Sequence, residues 1–128
     1  MIIEVKNEDV FYPTYGGNDK LSDGEKIKVK HRFLLPGERK KYIYTKPMQI
    51  DKISGKLDST VEYVQDEEGI TKAIVTGFEN FKIKAGKKEV EIKTALDMYN
   101  HNVPTSLVRE IEVNMLLASP EVDKDFLA

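Results

Sequence analysis

Ile70-Thr71-Lys72-Ala73-Ile74-Val75-Thr76-Gly77-Phe78-Glu79-Asn80-Phe81-Lys82-Ile83 carries the densest apolar pattern in the chain, and its reading decides the fold. Ile70, Ala73, Ile74, Gly77, Phe78 and Phe81 recur at i, i+3, i+4, i+7, i+8 and i+11, the spacing of one helical face. Lys72, Thr76, Glu79 and Asn80 fall on the other face. Asp66, Glu67 and Glu68 stand just ahead, where carboxylates interact well with a helix dipole. The period then changes. Phe81 and Ile83 alternate with Lys82 and Lys84, as in a strand. Ala85-Gly86-Lys87-Lys88 reads as a turn, and beyond it Val90 and Ile92 alternate with Glu89, Glu91 and Lys93. The spacing predicts a helix over 70–79 running into a β-hairpin over 81–92. A competing reading makes 73–84 one long strand, because Ile74-Val75-Thr76 is β-branched.

Towards the N-terminus, Ile3 and Val5 alternate with Glu4 and Lys6, a short strand that Val10-Phe11-Tyr12 can continue. Pro13 to Glu25 reads as a loop, with turn formers at Pro13, Gly16-Gly17-Asn18-Asp19 and Asp23-Gly24. Tyr12 and Tyr15 are either aromatic anchors for a partner or side chains lying back on the sheet. The cleanest strand follows: Ile27, Val29, His31 and Phe33 alternate with Lys26, Lys28, Lys30 and Arg32. Its cationic row reads as a solvated face, and lysines also discourage pairing at sheet edges. His31, on the apolar face, reads as a hydrogen-bonded core histidine. Pro36 suits a first helical position, so 36–44 reads as a short helix, whereas Tyr42-Ile43-Tyr44-Thr45 has strand character instead; the two readings stay open, with a helical turn followed by a strand preferred. Met48 to Ile53 alternates as a short strand, and Val61, Tyr63 and Val64 form an apolar cluster.

Towards the C-terminus, Thr94 with Asp97 three residues on resembles a capping box. The last helix starts near Pro104 or Thr105 and ends at Ser119-Pro120. Leu107, Val108, Ile111, Met115 and Ala118 share one face, Leu116 and Leu117 widen it, and Arg109, Glu110, Glu112 and Asn114 are expected in water. An acidic tail, 121–128, ends Phe126-Leu127-Ala128, an apolar hook for a partner or for the protein's own domain.

The chain has 128 residues, 40% of them hydrophobic, which fits a single α+β domain over 1–120 and a tail over 121–128. The expected fold is a mostly antiparallel sheet with a C-terminal hairpin, covered by two to three helices, chiefly those at 70–79 and 104–118. Twenty basic against 22 acidic residues give a net charge of −2, without the basic footprint of a nucleic-acid binder. Without cysteine there is no disulfide, thiolate metal site or cysteine nucleophile. Residues 1–8 lack the pattern of a signal peptide, and no apolar run reaches membrane-spanning length, so a cytoplasmic protein is expected. No phosphate-binding glycine loop, His-x-x-x-His or Gly-x-Ser-x-Gly motif occurs. Asp97 and His101 can meet on a helix, but as a structural or surface pair. These readings assign no catalytic residue, cofactor, metal or small-molecule ligand.

Several weak motifs in one order resemble the tail-assembly-chaperone type of small protein from long-tailed phages and prophages. They are Phe33-Leu34-Leu35-Pro36-Gly37-Glu38-Arg39, Val75-Thr76-Gly77-Phe78-Glu79-Asn80, Gly86-Lys87, Leu96, Pro104, Leu107-Val108-Arg109-Glu110-Ile111 and Ser119. The resemblance covers about residues 27–120 and departs from the family at the longer N-terminal loop and the Asp125-Phe126-Leu127-Ala128 ending. It implies a non-enzymatic phage tail morphogenesis protein in the host cytoplasm, holding a tape-measure helix soluble while tail tube subunits polymerise. The alternative is a virion component (head–tail connector, tail terminator or baseplate piece) forming rings as a homo-oligomer. The partner-binding candidates are Leu107, Ile111, Met115 and Leu116 on the last helix, Tyr12 and Tyr15 in the loop, and Phe126 and Leu127 in the tail.

Overall fold

β2 (Lys28–Arg32) is the middle strand of a three-stranded antiparallel sheet, between β1 (Glu8–Phe11) and β5 (Val75–Glu79). These coordinates come from a computed structural model that describes residues 1–47 and 61–120. Alternation in β2 does what a two-residue period demands: Val29 and His31 are buried and Lys30 is exposed. Phe11 and Phe78 lie opposite Val29 from the two sides. On the wet face Lys30 reaches Glu79 at 2.6 Å and Lys28 reaches it at 4.0 Å. The first strand is Glu8–Phe11 rather than the Ile3–Val5 alternation, and Ile2 and Ile3 are exposed.

The expected helix over 70–79 is corrected by the structure. α2 spans Glu67–Ile74, and β5 follows at Val75 with no connecting residue. The helical period is real only as far as Ile74; Phe78 and Phe81 continue it by coincidence. β-Branched Val75 instead joins the ladder to β2 opposite His31, and Thr76 is the extra residue of a bulge between the His31–Val75 and Lys30–Gly77 pairs. Gly77 lies where a Cβ would stand 3.7 Å from the Lys93 carbonyl oxygen. Asn80 then turns the chain with φ of +58°, a conformation Asn tolerates. Its side-chain amide donates to the Lys26 carbonyl at 3.1 Å, fixing the turn to the start of β2. Phe78 and Phe81 meet edge to face at 5.2 Å.

The expected hairpin forms as β6 (Lys82–Ala85) and β7 (Lys88–Glu91), with Gly86 at φ +66°, and it makes a two-stranded sheet of its own. α3 (Ala95–Asn100) starts at Thr94, whose hydroxyl accepts from Asp97 N–H at 3.1 Å. α4 (Thr105–Leu117) packs on α2. Leu107, Ile111 and Met115, one turn apart, close the core with Ile70, Ile74, Phe81 and Met98. Each such side chain contributes about 2–3 kcal/mol by leaving water.

These elements, within residues 1–34 and 67–120, make one compact unit; Leu35–Asp66 makes another. In the second unit α1 (Pro36–Tyr42) runs straight into β3 (Ile43–Pro47), which pairs antiparallel with β4 (Val61–Gln65). The Leu35 N–H donates to the Glu38 carboxylate at 2.9 Å, capping α1 from within its first turn. None of this unit's described residues is buried. The strand expected over Met48 to Ile53 lies outside the described residues.

Candidate functional site

The loop between β1 and β2 is held at two points. Asn18, 4% exposed, donates through Nδ2 to the carbonyls of Pro13 (2.8 Å) and Ile27 (3.2 Å), and its Oδ1 accepts from Ile27 N–H at 2.6 Å. Gly16 and Gly17, at φ +58° and +77°, let the chain curl around it through a 3-10 turn over Tyr15–Lys20. The second clamp is Glu110 of α4. Its carboxylate accepts from Thr14 N–H (2.7 Å), the Thr14 hydroxyl (3.0 Å) and Tyr15 N–H (3.1 Å). Glu110 is thus half-buried and engaged with the loop, and Glu112, also half-buried, accepts from the Tyr99 hydroxyl at 2.8 Å. Asn114 turns back to the Glu110 carbonyl at 2.8 Å, and Arg109 pairs with Glu67. Tyr12 and Tyr15 keep 41% and 40% of their surface exposed; Lys26 Nζ sits 5.0 Å from the Tyr12 ring centre.

The four α4 candidates divide. Leu107, Ile111 and Met115 are at most 2% exposed, so their face is the core of the unit. Leu116 is half-buried. Leu117, 72% exposed, is the apolar residue the helix offers to solvent. It stands on the rim of a cleft of about 240 Å³ between the last turn of α4 and the sheet. Val10, Phe11, Phe33, Met115 and His31 also line this cleft. His31 is 5% exposed, its Nδ1–H donates to the Arg32 carbonyl at 2.8 Å, and its ring stands edge-on to Phe33 at 5.2 Å. It is a hydrogen-bonded core histidine, as its place on the apolar face of β2 predicts. Asp9, on the same rim, accepts the Val10 N–H through its own carboxylate at 2.8 Å. Phe126 and Leu127 lie outside the described residues.

Around α3, Asp97, His101 and Tyr99 are engaged in hydrogen bonds within the fold. The Asp97 carboxylate accepts from Lys93 N–H (3.1 Å) and Thr94 N–H (3.2 Å). The Lys93 bond above all holds its pKa below the usual aspartate value, against the opposing effect of burial. His101 Nδ1–H donates to the Asp97 backbone carbonyl at 2.8 Å rather than to its carboxylate. Burial, and then the bond to Glu112, push the Tyr99 hydroxyl well above its ordinary pKa, so it stays a donor. Lys72 Nζ lies 5.3 Å from the Tyr99 ring centre. Among the described residues no group of three or more His, Cys, Asp or Glu side chains gathers as a metal site would need, and no helix is long and apolar enough to cross a membrane.

No protein-family model matches this chain, and neither a curated protein nor a solved structure matches it.

Proposed function

We propose that the protein is a non-enzymatic assembly factor of phage tail morphogenesis, which binds an apolar helix of another phage protein in the cleft beside α4. The cleft carries the reading: Leu117 and Val10, 72% and 37% exposed, flank a floor of Phe11, Phe33 and Met115. An amphipathic helix is recognised by a groove through apolar anchors one turn apart; Leu117 and Val10 are the apolar contacts this cleft exposes, beside the polar Asp9, Asn114 and Ser119. The partner class comes from the resemblance to tail-assembly chaperones, whose client is the tape-measure helix. Co-expression with a tape-measure fragment tests it. The full chain is expected to keep the fragment soluble and to co-purify with it, and Leu117→Asp to lose it while keeping its circular dichroism. Equal recovery of the fragment with Leu117→Asp would remove the cleft from the account.

The second reading, a ring-forming virion component bound to neighbouring virion subunits, is favoured by β4, which among the described residues pairs on one side only, since subunits joined by strand addition need such an edge.

A further inference from the structure

Among its described residues the unit Leu35–Asp66 offers one strand edge to solvent, and the hydrogen-bond parity of its β3–β4 ladder shows which. Asp66 N–H donates to the Tyr42 carbonyl at 2.7 Å, which makes Tyr42–Asp66 a hydrogen-bonded pair. Hydrogen-bonded and non-hydrogen-bonded pairs alternate along an antiparallel ladder. Tyr44–Val64 and Lys46–Glu62 are therefore hydrogen-bonded, whereas Ile43–Gln65, Thr45–Tyr63 and Pro47–Val61 are not. Pro47, which has no N–H, falls where the ladder requires none.

Residues in the second set aim their backbone groups away from the partner strand. On β3 that outer edge is largely spent: Ile43 N–H closes on the Arg39 carbonyl at the end of α1, and Pro47 donates nothing. On β4, Val61, Tyr63 and Gln65 each aim an N–H and a C=O outward, and among the described residues β4 pairs with β3 alone. Val61 and Tyr63 are 60% and 61% exposed. The segment Val61-Glu62-Tyr63-Val64-Gln65 holds no proline or lysine, and its one charged residue is Glu62. A two-stranded ribbon with no buried residue is marginal in water, and further strands stabilise it.

We propose that β4 pairs antiparallel with β4 of a second copy, about a two-fold axis through Tyr63, and that the two hairpins form one four-stranded sheet. The charges choose this occupant and this register. Three two-fold registers set two or more outward-facing residues of the strand against each other. Centring on Glu62 sets Glu62 against Glu62 of the other copy, and centring on Val64 sets Glu62 against Asp66. Centring on Tyr63 sets Tyr63 against Tyr63, Val61 against Gln65, and Glu62 against Val64, with no like charges opposed. In this register Glu62 keeps its pairing with Lys46 of its own hairpin at 3.5 Å. A strand that complements itself in this way makes an isologous dimer contact, which closes after two copies. The inference does not rest on the tail-assembly reading, and its test reads a different variable.

The test is the mass of the full chain by sedimentation equilibrium from micromolar to millimolar concentration. A reversible dimer is expected. Tyr63→Pro removes an outward N–H while leaving every bond of the β3–β4 ladder in place, and it is expected to weaken dimerisation at least about tenfold with unchanged circular dichroism. Should Tyr63→Pro disturb the hairpin, charge at the exposed Tyr63 position decides. Tyr63→Glu and Tyr63→Lys are each expected to be monomeric, and their equimolar mixture to restore a dimer. A wild-type monomer throughout, a closed ring, or a dimer that persists in Tyr63→Pro or Tyr63→Glu would overturn the proposal.

Discussion

Replacing Asn18 tests whether one buried amide organises the whole β1–β2 loop. Asn18→Ala removes three hydrogen bonds and leaves the Pro13 carbonyl and both backbone groups of Ile27 short of a partner. At about 1 kcal/mol net for each bond, the expected loss is about 3 kcal/mol. For a chain of this length that lowers the melting temperature by roughly 10 °C. Asn18→Asp sharpens the test because it has the same shape. Its Oδ1 still accepts from Ile27 N–H, but a second carboxylate oxygen now faces two carbonyl oxygens. The new carboxyl is stable there only when protonated, so its folded pKa rises above the unfolded value near 4. The sign follows from linkage: the penalty is smallest below that unfolded value and grows as pH rises towards the folded pKa, where it levels off. Urea unfolding followed by circular dichroism at pH 4 and pH 7 measures both effects. The reasoning fails if Asn18→Ala unfolds within about 0.5 kcal/mol of wild type, or if the Asn18→Asp deficit is the same at both pH values.

Ile111→Ala empties a fully buried site between helices and is expected to cost about 3–4 kcal/mol in urea unfolding. Glu110→Ala frees Thr14 and Tyr15 from α4. Because those groups regain water, the loss is only about 1–2 kcal/mol, and limited proteolysis should show faster cleavage within 13–25. Asp97, with its lowered folded pKa, contributes stability that is present above the ordinary aspartate value and lost as pH falls through the folded one. The stability gap between wild type and Asp97→Asn is therefore expected to close on acidification, read from thermal melts between pH 3 and pH 7.

Local signals made much of the fold readable. The alternation from Ile27 to Phe33, the Thr94 cap, the turn at Gly86 and the proline ahead of the last helix all report on residues next to them in sequence. α1 passing into β3 was legible from Pro36 and the strand-like Tyr42-Ile43-Tyr44-Thr45 for the same reason. The boundary inside the central stretch was not. Ile74, Phe78 and Phe81 fit one helical face, and only the pairing of Val75 to Glu79 with β2 breaks that face after Ile74. The Glu110 clamp was invisible because it joins residues 96 apart, and nothing in a surface-helix glutamate distinguishes a clamp from a solvated side chain. Of the site candidates, the apolar spacing of Leu107, Ile111 and Met115 located a buried face. The exposed apolar residue, Leu117, was visible only as part of a widened stripe. The parity of the β3–β4 ladder needed one backbone bond, Asp66 to Tyr42, that no sequence pattern reports.

Both helix-to-strand junctions, Tyr42 to Ile43 and Ile74 to Val75, have no residue between the two elements. A helix advances by a third of a turn per residue and a strand reverses its side chains at each residue. One residue added within α2 would therefore either rotate its core face away from α4 or turn Phe78 out of the sheet. Such junctions tolerate exchange of side chains but not change of length. Insertions and deletions in relatives of this chain should fall outside 36–47 and 67–79, and a tag or reporter placed at the Gly86 turn should leave both reading frames of the fold intact.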